Sequence, residues 1–305
     1  MVAGREAEHA RHEVRIIREN SIHARPEQLI GPLNKGLGKM DSPAAGGDIV
    51  RLGWNLLRED LSLPSAVLYR DRLEHNLAWM QRFMDAYKVK LAPHGKTTMA
   101  PRLFEMQLKS GAWGITLASA HQTVVAHTHG VKRVLMANQL VGKQNIQMIA
   151  DLLTDSEFEF YCLVDSAAGV NLLGEFFSER GLRLNVLLEL GVMGGRCGVR
   201  DDVQLEQVLD ALTQWRTTIQ LCGVELYEGV LKEESEIRAL MRRACKVTQT
   251  LLGVQVVIAD VELCPRLAGN DIARGVADID RGEFEIGGLE LRAAEIERLL
   301  GNRHD

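Results

Sequence analysis

The sequence predicts an α/β protein built around a closed (β/α)8 barrel with a parallel sheet. Three observations carry that expectation. From Pro64 onward, short apolar runs rich in β-branched residues alternate with amphipathic stretches of helical period, the pattern of βα units. Eight such runs follow the first helical stretch, the count a closed barrel requires, and closure removes the exposed edges that an open sheet must protect. Finally, 305 residues with 46% hydrophobic and 25% charged side chains can bury a large core, and barrels of about 250 residues are routinely single domains.

Residues 1–60 are polar and loosely patterned, broken by Pro26, Pro32, Pro43 and Gly46-Gly47, and read as an N-terminal extension. The barrel is expected over 61–260. Its approach is an apolar strand-like run, Ala66 to Tyr69, then a helix from Asp71, as N-cap, to Tyr87, with Leu73, Leu77, Met80 and Met84 on one face. Barrel strands are expected at 89–92, 114–117, 133–137, 158–164, 184–190, 221–227, 254–259 and, weakly, 284–286. Helices are expected between them at 99–110, 142–153, 167–179, 202–213 and 232–251. After Ala259 the text is charged, glycine-broken and without a clean period. Residues 261–305 therefore read as an atypical C-terminal segment, in which Phe284-Glu-Ile-Gly-Gly288 leads into a helix at 289–300.

Composition excludes some functions. Thirty-six Lys and Arg against 41 Asp and Glu give a net charge of -5, so the basic excess of a nucleic-acid binder is missing. The charged N-terminus lacks the apolar core of a signal peptide, and no run reaches the roughly 18 apolar residues of a membrane span. Five cysteines, an odd number with no CxxC pair, suit a reducing compartment, and the expected location is cytoplasmic.

Active sites of such barrels lie at the C-terminal ends of the strands. There this sequence places Pro93-His94-Gly95-Lys96-Thr97-Thr98, Ser119, Asn138-Gln139, Asp165-Ser166, the glycine cluster around Arg196, and Glu225 to Gly229. Lys96 is a candidate Schiff-base amine, because a walled, partly desolvated pocket frees the neutral nucleophile. The competing reading is a solvated lysine capping a loop. The cluster from Gly191 to Gly198 makes neither GxGxxG nor a P-loop. It allows close backbone approach with Arg196 aimed at an anion or an aromatic oxygen, or else it is a flexible turn with a surface arginine. His127 and His129 close an apparent helix and read as capping residues, His75 and His121 as structural or exposed, and no metal site is expected.

Leu91-Ala-Pro-His-Gly-Lys-Thr-Thr98, Ala100-Pro101, Gly111-Ala-Trp-Gly-Ile-Thr116, Met136-Ala-Asn-Gln-Leu140, Val164-Asp-Ser166 and Tyr227-Glu-Gly229 occur in that order. Together they resemble the D-threonine aldolase and D-serine dehydratase branch of the alanine racemase-like, fold type III enzymes that use pyridoxal 5'-phosphate (PLP), and within it the D-serine deaminase-like amino acid deaminases. The resemblance covers about residues 50–258.

It implies a barrel of the alanine racemase N-terminal type with Lys96 carrying PLP, Arg196 beside the cofactor's phenolic oxygen and Tyr227 near its pyridine nitrogen. His94, Thr116 and Asn138 become further candidates for contacting the cofactor or orienting Lys96. The implied activity is deamination of a small β-hydroxy D-amino acid such as D-serine to a keto acid and ammonia. The alternative is a non-catalytic or vestigial PLP-binding barrel. The implied partner is a small-molecule amino acid, with no nucleic acid or membrane, and a homodimer is left open. Arg200 does not match the family position and is expected to matter far less than Arg196. The family's glycine-rich phosphate segment after the strand near Ala259, and its later Cys and His pair, have no match here. The expectation is an absent or truncated C-terminal β domain, no metal, and impaired activity.

Overall fold

The computed structural model describes residues 29–87, 89–251, 256–259 and 289–291. Contacts divide the chain into two units, Met1–Val67 and Leu68–Asp305. In the first, strands β1 (Leu29–Ile30) and β2 (Ala44–Ala45) pair antiparallel and lead into a one-turn helix, α1 (Gly46–Ile49). Two 3-10 turns follow, Val50–Leu52 and Leu56–Arg58. The Asn55 side chain caps the second turn, accepting from the backbone N–H groups of Leu57 and Arg58.

The second unit opens with α2 (Arg70–Tyr87), whose Met80, Phe83 and Met84 pack on the core. Asp71 lies in the first turn of this helix rather than at its cap, because the helical bond from Leu73 N–H to Tyr69 C=O starts the helix earlier. Strands and helices then alternate. They run β3 (Lys90–Leu91), α3 (Pro101–Lys109), β4 (Ile115–Leu117), α4 (Ala120–Thr128), β5 (Arg133–Gln139), α5 (Lys143–Leu152), β6 (Glu159–Val164) and α6 (Ala167–Ser178). After these come β7 (Leu184–Leu190), α7 (Asp202–Gln214), β8 (Ile219–Leu226), α8 (Glu234–Thr250), β9 (Val256–Ala259) and β10 (Leu289–Leu291). Local chemistry starts the helices where the sequence predicts. Pro101 opens α3, and Ser119, Ser166 and Asp201 cap α4, α6 and α7 by accepting from the N–H three residues on.

The sheet has eight strands in the order β3-β10-β9-β8-β7-β6-β5-β4. Neighbours from β4 to β9 are parallel, and a parallel bridge between His94 and Thr116 joins β3 to β4, closing the ring. This is the expected barrel, with two corrections to its elements. Residues 66–69 form no strand: among the described residues they have no ladder partner, and Val67, Leu68 and Tyr69 are exposed. Their β-branched and aromatic character expresses a preference that only a neighbouring strand could satisfy. At the other end, residues 289–291 are a strand and not the start of a helix. β10 pairs antiparallel with both β9 and β3, so the two ladder edges left open there outweigh the helical reading of Leu289-Glu290-Leu291, whose alternation also fits a strand. The weak run at 284–286 lies outside the described residues.

Alternation along the strands sorts side chains to two sides. Phe160, Cys162 and Val164 of β6 belong to the layer between sheet and helices. Tyr161 and Leu163 join Leu135, Ala137, Leu187 and Cys222 in a small separate cluster, the barrel lumen. The lumen is therefore apolar only at mid-height. At its N-terminal end Arg133 makes a two-point ion pair with Glu159, stacks 4.8 Å over Trp113, and Tyr161 donates to Glu159 at 3.2 Å. No helix among the described residues is long and apolar enough to cross a membrane.

Candidate active site

Lys96 follows β3 on a loop fixed by its neighbours. Gly95 N–H donates to Thr116 C=O at 2.8 Å, Thr116 N–H to Pro93 C=O at 2.9 Å, and the Thr116 hydroxyl to Ala92 C=O at 2.7 Å. A Cβ on Gly95 would stand 2.6 Å from Phe104 Cε1 and 2.7 Å from Ile115 Cγ2, so only glycine lets β3 lie this close to β4 and α3. Met99 N–H closes the turn onto Gly95 C=O at 2.9 Å, leaving Lys96 half-buried. Gln122 of α4 braces it, donating to Lys96 C=O at 3.2 Å and accepting from Ala118 N–H at 2.9 Å. Asn138 donates to Ala118 C=O at 3.3 Å. Thr116 thus spends its hydroxyl on the backbone that leads to Lys96, Asn138 bonds the Ala118 segment that Gln122 ties to the Lys96 carbonyl, and His94, whose Nε2 is shielded from solvent, bridges to Thr116.

The glycine cluster after β7 is a pinched loop. Gly191 N–H donates to Val199 C=O at 3.0 Å and Val199 N–H to Glu189 C=O at 2.8 Å. A Cβ at Gly191 would fall 2.1 Å from the Cys197 carbonyl, and Gly198 has φ +92°, a backbone that favours glycine. Three side chains hold the loop. Asp165 accepts from Gly198 N–H at 3.0 Å, Arg200 donates to the carbonyls of Val192 (3.3 Å) and Gly195 (3.1 Å), and Arg243 of α8 donates to those of Gly191 (3.4 Å) and Val199 (3.1 Å). Arg200 is therefore no bystander: it braces the segment that presents Arg196, because its fork reaches two carbonyls of the loop at once. Arg196 itself is exposed and donates from Nε to Cys197 Sγ at 3.2 Å.

Beneath this loop lies an acidic layer. Glu189 of β7 and Glu225 of β8 stand opposite each other in register and are only 3% and 1% exposed. Gln139 Nε2 donates to Glu189 Oε2 at 2.6 Å and to Asp165 Oδ2 at 3.2 Å, one amide between two carboxylates. Burial, with the charge of Asp165, pushes the Glu189 carboxyl above its ordinary range, against hydrogen bonds from Cys197 and Gln139. Burial likewise pushes the Cys197 thiol up, opposed by the Arg196 hydrogen bond and reinforced by Glu189. The Arg196 pKa is raised by its contact with Cys197 and by the charges of Glu189 and Glu225.

A small, solvent-open cleft is lined by Glu189, Gly191, Arg196, Cys197 and Tyr227. Tyr227 packs so closely on Gly229 that a Cβ there would sit 2.5 Å from its hydroxyl. Arg196 and Tyr227 therefore share one cleft, whereas Lys96, His94, Thr116 and Asn138 form a second group, joined by hydrogen bonds across the ends of β3, β4 and β5. Lys96, His94, Arg196 and Tyr227 lie past C-terminal strand ends, and Thr116 and Asn138 in the C-terminal parts of β4 and β5, on one face of the barrel. His127 pairs with Asp155 at 3.0 Å, and His129 is the C-cap residue of α4. Gln122, Glu189, Cys197 and Arg243 escaped the sequence reading. A lone acid inside Leu187-Leu-Glu-Leu190 was the available signal for Glu189, since buried carboxylates are rare without partners.

A closed barrel with an amine, a guanidinium and a phenol around its C-terminal mouth defines a class of cofactor-binding α/β barrels. The chain belongs to the alanine racemase N-terminal domain family, whose model matches residues 68–261. It is similar to D-threonine aldolase from Arthrobacter sp, 28% identical over 189 residues, 60% of this chain and 48% of that protein. It is also similar to D-threo-3-hydroxyaspartate dehydratase from Delftia sp. strain HT23, 31% identical over 142 residues, 47% of this chain and 37% of that one. Among solved structures, D-threonine aldolase from Filomicrobium marinum matches with a TM-score of 0.55 at 26% identity, covering 62% of this chain and 51% of that one. The chain thus spans about half or less of the length of these relatives.

Pyridoxal 5'-phosphate is the cofactor of this family. The residues present fit it. A half-buried amine on a fixed loop can hold an aldehyde carbon, while a guanidinium and a phenol in one cleft suit the polar edge of a flat aromatic ring.

Proposed function

We propose that the protein is a PLP-dependent lyase that deaminates a small β-hydroxy D-amino acid, D-serine being the simplest, to a keto acid and ammonia. The observation that carries this reading is the Lys96 loop, whose backbone is fixed on both sides by Gly95, Thr116 and Gln122 while its amine side chain is half-buried at the barrel mouth. Such fixing suits a group that must attach a cofactor in one orientation. Similarity to a D-threonine aldolase and a D-threo-3-hydroxyaspartate dehydratase supports a β-hydroxy D-amino acid as substrate class.

When bound, the cofactor supplies an electron sink for the α-carbon. Lys96 would tether it, and its Nζ would hold or return a proton at the substrate's α-carbon. Arg196 would face the phenolic oxygen and Tyr227 the ring nitrogen. A neutral phenol is a weak partner for a positive ring, which favours elimination or cleavage over transamination. His94, Thr116 and Asn138 would orient the tether, Thr116 through the Ala92 carbonyl and Asn138 through the Ala118 segment and Gln122. Among the described residues Cys162, Cys197, Cys222 and Cys245 form no disulfide, which suits a reducing, cytoplasmic setting.

The test is product analysis with purified protein, added PLP, and D-serine, D-threonine and D-3-hydroxyaspartate beside their L-enantiomers. Keto acid and ammonia from D-serine alone among the enantiomers is the expected result. Aldehyde release would assign aldol cleavage instead. Cofactor retention with no turnover of any substrate would leave a non-catalytic cofactor-binding barrel and overturn the proposal.

A further inference from the structure

We infer that Glu189, Gln139 and Cys197 are positioning residues for Arg196, forming one row of polar groups that fixes where its guanidinium stands and how strongly its charge is felt at the barrel mouth. This deepens the proposed function and, for its cofactor arm only, rests on it.

Two hydrogen-bonded pieces meet in the cleft that Glu189, Arg196 and Cys197 line together. Asp165 Oδ2 receives the amide of Gln139, and the same nitrogen donates to Glu189 Oε2 at 2.6 Å. Cys197 lines the same cleft as Glu189, whose charge pushes its thiol up, and Arg196 Nε donates to Cys197 Sγ at 3.2 Å. The donor chemistry agrees: the thiol offers a lone pair to a donor-only guanidinium and keeps its own proton available to an acceptor-only carboxylate. Gln139 separates two carboxylates that would otherwise repel across neighbouring strands, which explains an amide at a strand end with acids on both sides. Asp165 also binds Gly198 N–H, so the row is anchored to the pinched loop that carries Arg196. An exposed arginine on a glycine-rich loop has many rotamers, and a row ending in a 97%-buried carboxylate is what selects one.

Cys197 makes the inference measurable without cofactor, because its thiol accepts from Arg196 and feels the charge of Glu189. Removing the negative charge of Glu189 should favour the thiolate, and removing the guanidinium of Arg196 should disfavour it. The experiment measures iodoacetamide alkylation at pH 8 to 9 on the full chain without added PLP. Cys197 and Cys222 are read separately by peptide mass spectrometry, Cys222 serving as internal reference. Glu189→Gln should speed alkylation of Cys197 several-fold, and Arg196→Ala, at an exposed position where misfolding is not expected, should slow it several-fold. Cys222 should not change in either.

Opposite signs at one thiol are what the row requires and what loosening of the loop cannot give, since loosening would speed both variants. Changes of the same sign, or no change in Arg196→Ala, would overturn the inference. With PLP bound, Glu189→Gln should also move the pH midpoint of the cofactor's absorbance downward, because the guanidinium loses its counter-charge. An unmoved midpoint would overturn that part. If the wild-type protein binds no PLP, the proposed function fails while the alkylation result still judges the row.

Discussion

At the residue scale, Gly95 shows how one missing side chain makes a site. The 2.6 and 2.7 Å approaches of a notional Cβ to Phe104 and Ile115 involve two of the most deeply buried side chains, which cannot swing aside. Gly95→Ala is therefore expected to destabilise the protein by about 1–3 kcal/mol, the range for overpacking. It should also displace Lys96. Urea unfolding read by fluorescence checks the first effect, and PLP retention the second. The motif around Lys96 was legible because its residues are contiguous. The glycine's reason was not, because Phe104 and Ile115 meet it only after α3 and β4 have packed. Glu189, and the partner of Gln139, were illegible for a similar cause: an acid and an amide 50 positions apart find each other only once β5, β6 and β7 lie side by side.

At the element scale, the loop between β7 and α7 depends on side chains from three other places: Asp165 past β6, Arg200 at its own end and Arg243 on α8. Arg200→Ala removes two bonds from a charged donor, each worth about 1.5–3 kcal/mol when buried and less at this half-exposed site. It should raise hydrogen exchange over residues 191–199 and weaken PLP retention to a degree comparable with Arg196→Ala. Arg216→Ala, an exposed change on another turn, should alter neither. An Arg200→Ala protein indistinguishable from wild type would show that the brace is ornamental. Strands β4 to β9 and helices α2 to α8 were legible because period and capping agreed with tertiary packing. Residues 66–69 and 289–291 misled because local preference was decided by which ladder edges stood open.

At the scale of the whole molecule, the barrel is charged at both ends and apolar at mid-height, so acid should weaken it from the N-terminal end. The Arg133 hydrogen bond holds the Glu159 carboxyl below its ordinary range. Asp155 is held low as well, by the Glu157 backbone N–H and then by His127. A depressed folded pKa means stabilisation present above the unfolded value and lost as pH falls through the folded one. The thermal midpoint of the wild type should therefore drop more steeply between about pH 5 and pH 3 than that of Glu159→Gln. The difference should not exceed about 1 kcal/mol, since the Glu159 side chain is 44% exposed. Glu189, held high, acts in the opposite sense, gaining stability on protonation.

The assembled mouth has one claim at its centre: that this barrel exists to hold PLP on Lys96. Borohydride reduction of protein incubated with PLP, followed by peptide mapping, tests it most directly. A single pyridoxyl group on the peptide spanning residues 91–102, lost in Lys96→Ala, is the predicted result; label on other lysines, or none, would contradict it.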